Sequence, residues 1–406
     1  MLRARESSKL RAVSRPLTKQ PALRLKKPLE RALRSGHPWV YRDAIEASDA
    51  APGTQVRVLD RQGRFVATGL VDAGPIGVRV FSLRDEPIDT ALFASRIARA
   101  LALRARVVPE HTDAYRLLHG EGDALPGFVC DRYGSCAVLK LDGEAAPARL
   151  PSLLEAFTPQ LSALGITGLI VRTSRKQADN CELAWGSAPA RELTVYEHGM
   201  KLWTNVFEGQ KTGLFLDHRE TRRRVRMLSA GLSVLNLYGY TGGFSVAAGL
   251  GGAARVTTVD LAKPALALAE RSFVDNGLSG SLHTCVADDA VAYLAAAKER
   301  GERYQLVIAD PPNFAPRKSA VESAQKAYEA LHSAAMSVLE PGGLYLAASC
   351  SSHVDRALFE ETLRRGASYQ RRVLQVLELS GAPADHPRLL AFPEGDYLKI
   401  LLTRAL

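Results

Sequence analysis

An apolar strand, Val234-Leu235, runs into Asn236-Leu237-Tyr238-Gly239-Tyr240-Thr241-Gly242-Gly243-Phe244, and Asp260 closes the next apolar stretch. Glycines directly after a strand let backbone approach a ligand closely, and Phe244-Ser245-Val246-Ala247-Ala248 then opens a helix. A carboxylate at the tip of the second strand can accept both hydroxyls of a bound ribose. This order belongs to a sheet whose strands alternate with helices. From residue 206 onward the pattern predicts helices over 219–228, 245–250, 264–276, 290–298 and 321–339. Strands are predicted over 234–237, 256–259, 282–286, 306–309 and 343–348, giving an α/β, doubly wound, mostly parallel sheet.

At 406 residues the chain is too long for one ordinary core, so two or three domains are expected. No apolar run approaches the length of a membrane span, and the N-terminus is too basic for a secretory leader. A cytoplasmic protein with no membrane association is expected. Five scattered cysteines (Cys130, Cys136, Cys181, Cys285, Cys350) without a Cys-x-x-Cys pair argue against a disulfide framework, a zinc site or an iron-sulfur cluster. Any special cysteine acts alone. A formal net charge of +10 favours a polyanionic partner such as RNA.

Residues 1–20, with Arg3, Arg5, Lys9, Arg11, Arg15 and Lys19, lack periodicity and read as a disordered basic tail. Short alternating segments over 21–90 predict a small β-rich module, and 91–195 reads as an α+β unit opened by a helix over 91–107. A hairpin over 194–203 leads into the third domain, 196–406. The segment 389–402 reads as a terminal hairpin turning at Pro393-Glu394-Gly395.

The sheet type alone also suits a nicotinamide enzyme. The loop separates the two: Gly239, Gly242 and Gly243 do not form Gly-x-Gly-x-x-Gly, and the third, helix-packing glycine of that fingerprint is missing. With Asp310-Pro311-Pro312 after the fourth strand, the expected nucleoside is S-adenosylmethionine, which has no pyrophosphate to cradle. Ligands of open α/β sheets bind at the carboxyl edge. There Asp260 is expected on the ribose, Gly239 with Asn236, Tyr238, Thr241 and Gly242 on the methionine part, and Asp288 on the adenine amino group. Asp289 suits the N-cap of the next helix. Prolines fix the chain after Asp310, so its carboxylate and nearby carbonyls converge on one place.

Ser349-Cys350-Ser351-Ser352 ends the fifth strand, within reach of Asp310 in this sheet type. A cysteine is often only a small buried apolar residue. At a strand's catalytic end it suits a second role, because carbon 5 of a pyrimidine becomes nucleophilic once a thiolate has added to carbon 6.

The run Gly209-Gln210-Lys211-Thr212-Gly213-Leu214-Phe215-Leu216-Asp217-His218-Arg219-Glu220, the glycine loop, Asp310-Pro311-Pro312 and Ser349-Cys350-Ser351 together resemble the bacterial 23S rRNA cytosine-C5 methyltransferase family of the large ribosomal subunit. Leu29-Glu30-Arg31-Ala32-Leu33-Arg34-Ser35-Gly36-His37-Pro38-Trp39-Val40-Tyr41 is similar to the opening of that family's PUA RNA-binding domain. The resemblance implies a class I, Rossmann-like methyltransferase domain with a terminal antiparallel hairpin, and 23S rRNA as partner. It makes Cys350 the nucleophile and puts Gln210, Phe215 and Asp217 around the cofactor or the incoming base. Arg219 stays open between the site and a structural ion pair. Asn313 departs from the lysine that members often carry there, and no second cysteine stands near Asp310, so the base for the carbon 5 proton is unassigned. A homodimer is compatible with the sequence. The rivals are an exocyclic-nitrogen methyltransferase on guanine or adenine and a catalytically idle RNA-binding or assembly factor.

Overall fold

A computed structural model describes residues 20–175 and 178–406. The basic tail expected over 1–20 lies outside them except for Gln20. The N-terminal module is a five-stranded sheet, in the order Ala22–Arg24, Gln55–Leu59, Phe65–Val71, Ile76–Ser82, Trp39–Tyr41. Alternation in Gln55–Leu59 buries Val56 and Val58 against Leu23, Val40, Val66 and Val78.

The second unit is also a five-stranded sheet, running Ala178–Gly186, Gly168–Arg175, Cys136–Leu141, Phe128–Tyr133, Ala114–His119. Helices Thr90–Val107 and Leu150–Ala163 pack on it. Asp89 starts the first helix by accepting from Leu92 N. The next hairpin pairs Glu192–Glu197 with Met200–Asn205, so a boundary between 195 and 196 cuts through it. This hairpin sits on the third domain, where Lys201 N donates to Asn276 Oδ1 and Trp203 N to Ser272 Oγ.

The third domain holds seven strands: β1 (Ser233–Leu237), β2 (Arg255–Asp260), β3 (His283–Ala287), β4 (Tyr304–Ala309), β5 (Leu339–Ser349), β6 (Leu374–Ser380) and β7 (Lys399–Ala405). Its helices are α1 (Arg219–Leu228), α2 (Gly243–Leu250), α3 (Lys263–Asp275), α4 (Ala290–Glu299), α5 (Val321–Val338) and α6 (Arg356–Tyr369). The strand order is β3-β2-β1-β4-β5-β7-β6, with β7 antiparallel to both of its neighbours. Both faces are covered. Val234, Leu306, Ile308 and Ile400 point into one core, and Leu235, Leu237, Val307 and Leu401 into the other. The order reverses beside β1, which sets a crevice outside the tips of β1, β2 and β4.

The terminal hairpin exists, with different members from those expected. β7 pairs with β6, which sequence reading missed together with α6, and Pro393–Gly395 is a short helical turn within the connector. That connector crosses to the other two domains. Phe392 packs edge-on to Trp39 at 4.6 Å between ring centroids, and Glu394 accepts from the Tyr41 hydroxyl at 2.8 Å. Asp385 accepts from the backbone of Arg116 at 3.0 Å, and His386 meets His119. The first two domains are joined by Arg79, 3% exposed, which pairs with Asp72 of its own sheet and with Glu121 and Asp142 of the next.

Candidate active site

The loop after β1 is strained at its tyrosines. Tyr238 and Tyr240 take φ of 56° and 48°, in the left-handed region that non-glycine residues avoid. Gly239, between them, is required for packing: a Cβ there would lie 2.3 Å from Thr258 Cγ2. Gly242 does take φ of 75°, and a Cβ on it would lie 2.5 Å from the Cβ of Ala269 on α3. Gly242 is therefore the helix-packing glycine that sequence reading found missing. Neither Asn236 nor Gly242 lines the crevice. Asn236 is 1% exposed and donates from Nδ2 to Ser245 Oγ at 2.9 Å, bracing the loop from behind.

Tyr240 organises the cavity mouth. Its backbone N–H donates to Asp260 Oδ2 at 2.8 Å, and its hydroxyl donates to Gly213 O at 3.0 Å while accepting from Gln210 N at 2.8 Å. One side chain thus pins the 209–213 segment over the glycine loop. The cavity beneath has a volume of about 610 Å³, and its wall includes Gln210, Phe215, Asp217, Tyr238, Gly239, Thr241. Asp260, Asp288, Asp310 and Cys350 complete the wall residues expected from sequence.

The β2 end of this cavity presents a carboxylate with acceptor capacity to spare. Asp260 uses one lone pair of Oδ2 on Tyr240 N and one of Oδ1 on Ala262 N, which leaves acceptor capacity on both oxygens for a ribose. Leu261 next to it is 71% exposed and lines the same wall, an apolar face uncovered beside a carboxylate. Asp288 is exposed on the wall, whereas Asp289 caps α4 by accepting from Val291 N and Ala292 N.

At the other end, Asp310 follows β4 and Cys350 follows β5. His218 Nε2, 2% exposed, lies 3.1 Å from Asp310 Oδ2. Among the described residues its Nδ1 is buried without a hydrogen-bond partner. Asn313 Oδ1 accepts from Ser351 Oγ at 2.6 Å, tying the Asp310 loop to the residue after Cys350. Ser349 Oγ is held by the Tyr328 hydroxyl at 2.8 Å, and Phe314 packs against the Tyr328 ring. Both hydroxyls flanking Cys350 thus fix its strand end. Burial, then the charge of Asp310, pushes the Cys350 thiol up from its ordinary range.

Residues 115–391 match the S-adenosylmethionine-dependent methyltransferase family. The chain belongs to that family. S-adenosylmethionine is the cofactor of this methyltransferase. Residues 23–83 match a PUA-like domain, the module of the first sheet. A ribosomal RNA large subunit methyltransferase of Deinococcus radiodurans is 37% identical over 95% of this chain and 98% of its own. Ribosomal RNA large subunit methyltransferase I of Salmonella arizonae is 36% identical over 93% and 96%. Among solved structures, the SMU.776 protein complexed with SAH has the same fold, with a TM-score of 0.86 and 24% identity over 95% of this methyltransferase and all of that chain.

Several wall and neighbouring residues of the methyltransferase were not singled out from sequence. Lys211 Nζ pairs with Asp217 Oδ2 at 2.7 Å and sits 4.4 Å above the Phe215 ring. The Tyr397 hydroxyl donates to the same Asp217 oxygen, and Lys399 lies buried beside Cys350's strand end. His218 and Lys211 stood within the motif run, adjacent to residues that were chosen. Tyr397 and Lys399 carried no local signal, because only the fold brings the C-terminal strand to β5. Arg219 is the structural ion pair: it is 1% exposed and grips Asp385 with two bonds of 2.8 and 3.0 Å.

Proposed function

We propose that this methyltransferase modifies carbon 5 of a cytosine in large-subunit ribosomal RNA, 23S rRNA in a bacterium, with Cys350 as nucleophile. The observation that carries the reading is the shared wall: Cys350, Asp310 and Phe314 line one end of the cavity whose other end holds Asp260 and the glycine loop. The relatives named for large-subunit rRNA, the PUA-like module and the net charge of +10 support RNA as the acceptor.

S-adenosylmethionine supplies an electrophilic methyl on a sulfonium. The target cytosine leaves its stack and lies against Phe314, with Asp310 accepting from its amino group. The Cys350 thiolate adds to carbon 6, and the displaced electron pair makes carbon 5 nucleophilic towards the methyl. Loss of the carbon 5 proton then re-forms the 5,6 double bond and expels the thiolate. The residues Gln210, Phe215 and Asp217 close the cavity above the reacting atoms, and Asp288 reads the adenine end.

The test is incubation of the full chain with labelled cofactor and unmodified 23S rRNA, with the product mapped by mass spectrometry. A 5-methylcytosine is expected from the native chain, and none from Cys350→Ala, whose cofactor affinity stays within about twofold of wild type. Near wild-type turnover by that variant sinks the nucleophile assignment. A second reading, methylation of an exocyclic amino nitrogen, is favoured by one observation, the upward push on the Cys350 thiol. It predicts a base methylated on nitrogen and an active Cys350→Ala variant.

A further inference from the structure

Lys399 opens β7 and pairs across the sheet with Ser349, the residue before Cys350. Its side chain is 2% exposed, and its ammonium donates to the carbonyl of Ser351, the residue after Cys350, at 2.5 Å and to that of Tyr397 at 2.9 Å. The two anchor points, at the end of β5 and just beyond it, therefore bracket Cys350. Among the described residues, the hydrogen-bond partners of Lys399 are neutral carbonyls and it forms no ion pair. Two carbonyls use two of its three N–H donors.

A buried ammonium held only by neutral oxygens is costly unless a negative charge forms beside it. The reaction proposed for this site forms one there. We propose that Lys399 is a positioning residue for the Cys350 thiolate, supplying the positive charge that holds the sulfur ionised at the end of β5. The inference rests on Cys350 being the nucleophile. When the thiol loses its proton to solvent, the Lys399 ammonium and the thiolate become a buried pair bracketed by the same strand end.

On the Cys350 side, Asp310 and Asp217 oppose ionisation and Lys211 favours it, but Lys211 is also paired with Asp217 at 2.7 Å, whereas Lys399 has no ion pair among the described residues. On the Lys399 side, burial lowers the amine to about 8, while Asp396, Cys350 and Asp355 pull it back up against Arg356.

The experiment measures alkylation of Cys350 by iodoacetamide across pH in the full chain, with the Cys350 peptide quantified by mass spectrometry. Lys399→Met is expected to raise the midpoint by about one pH unit or more, a tenfold loss of thiolate at neutral pH, while Lys399→Arg stays within about threefold of wild type. A Lys399→Met profile that superimposes on wild type, in protein with unchanged cofactor affinity, overturns the proposal. So does a Lys399→Arg variant as impaired as Lys399→Met. If Lys399→Met does not fold, NMR titration of 13C-labelled lysine in Cys350→Ala decides: a Lys399 midpoint lower than in wild type supports the pair, and an unmoved midpoint overturns it. Alkylation reads the charge on sulfur without RNA, so its failure is separate from failure of the carbon 5 reading, which product mapping decides.

Discussion

Asp217 accepts two hydrogen bonds on one oxygen, from Lys211 Nζ and from the Tyr397 hydroxyl, each at 2.7 Å. The carboxylate is 3% exposed, and its other oxygen has no partner. Tyr397 stands two residues before Lys399 and Lys211 lies on the cavity wall, so Asp217 joins the motif run to the last strand. Burial alone would raise this carboxyl; the charges of Lys211, His218 and His386 and the Lys211 hydrogen bond overcome it and hold Asp217 well below the usual carboxylate range.

Asp217→Ala is expected to cost on the order of 2 kcal/mol at pH 7, a figure reduced because Lys211 is about one-third exposed. A carboxyl held low in the folded state stabilises fully above its unfolded pKa of about 4, and that contribution is lost as pH falls further. The difference between Asp217→Ala and wild type in urea denaturation should therefore shrink between pH about 4 and 3. A difference independent of pH would remove the ion pair as its cause.

Arg219 and Asp385 are expected to behave as a rivet between α1 and the connector that precedes β7. Truncating either alone breaks this buried pair, at about 3 to 5 kcal/mol, with Arg219 left to the more exposed Glu220 when Asp385 is removed. Replacing both with apolar residues should recover part of that loss, because neither charge then remains buried. Additive losses in the double variant, read by thermal denaturation, would count against a direct pair.

Asp260→Ala removes the carboxylate expected on the ribose. Loss of charge-assisted hydrogen bonds worth about 1.5 to 3 kcal/mol predicts a cofactor Kd raised by about 10- to 150-fold. RNA affinity should be unchanged. Calorimetry with the cofactor and a filter-binding assay with RNA read the two separately.

His218→Leu is expected to slow methyl transfer by about tenfold or more with cofactor affinity unchanged, since Asp310 loses the imidazole that lies 3.1 Å from its Oδ2. His218→Gln keeps a donor and should retain most of the rate. Equal rates in His218→Leu and wild type would show that Asp310 needs no such support.

The alternating domain was legible because each strand is an apolar run with one end marked by glycine, acid or proline. Leu306 to Asp310 is the plainest case. Asp260, Asp310 and Cys350 could be placed at one edge because strand ends in a parallel sheet share a side. Asn236 misled because its position before the loop looks like a ligand position, while its side chain turns beneath to Ser245. β6 escaped because Val376, Leu377 and Leu379 on that edge strand are half exposed and its pattern is broken by a bulge between Val376 and Glu378. Tyr397, Lys399 and Asp385 could not be assigned from sequence, because their partners lie far away along the chain.

The connector over 381–398 has a consequence for how this protein can be taken apart. Its Asp385 is seated on the middle domain, its Phe392 and Glu394 on the first sheet, and its end delivers Tyr397 to Asp217 and Lys399 to the carbonyl of Ser351. A catalytic fragment cut free at residue 206 would keep the connector and lose the surfaces that give it shape. The three domains are therefore one working part, and the smallest fragment expected to hold its last strand in register is nearly the entire chain.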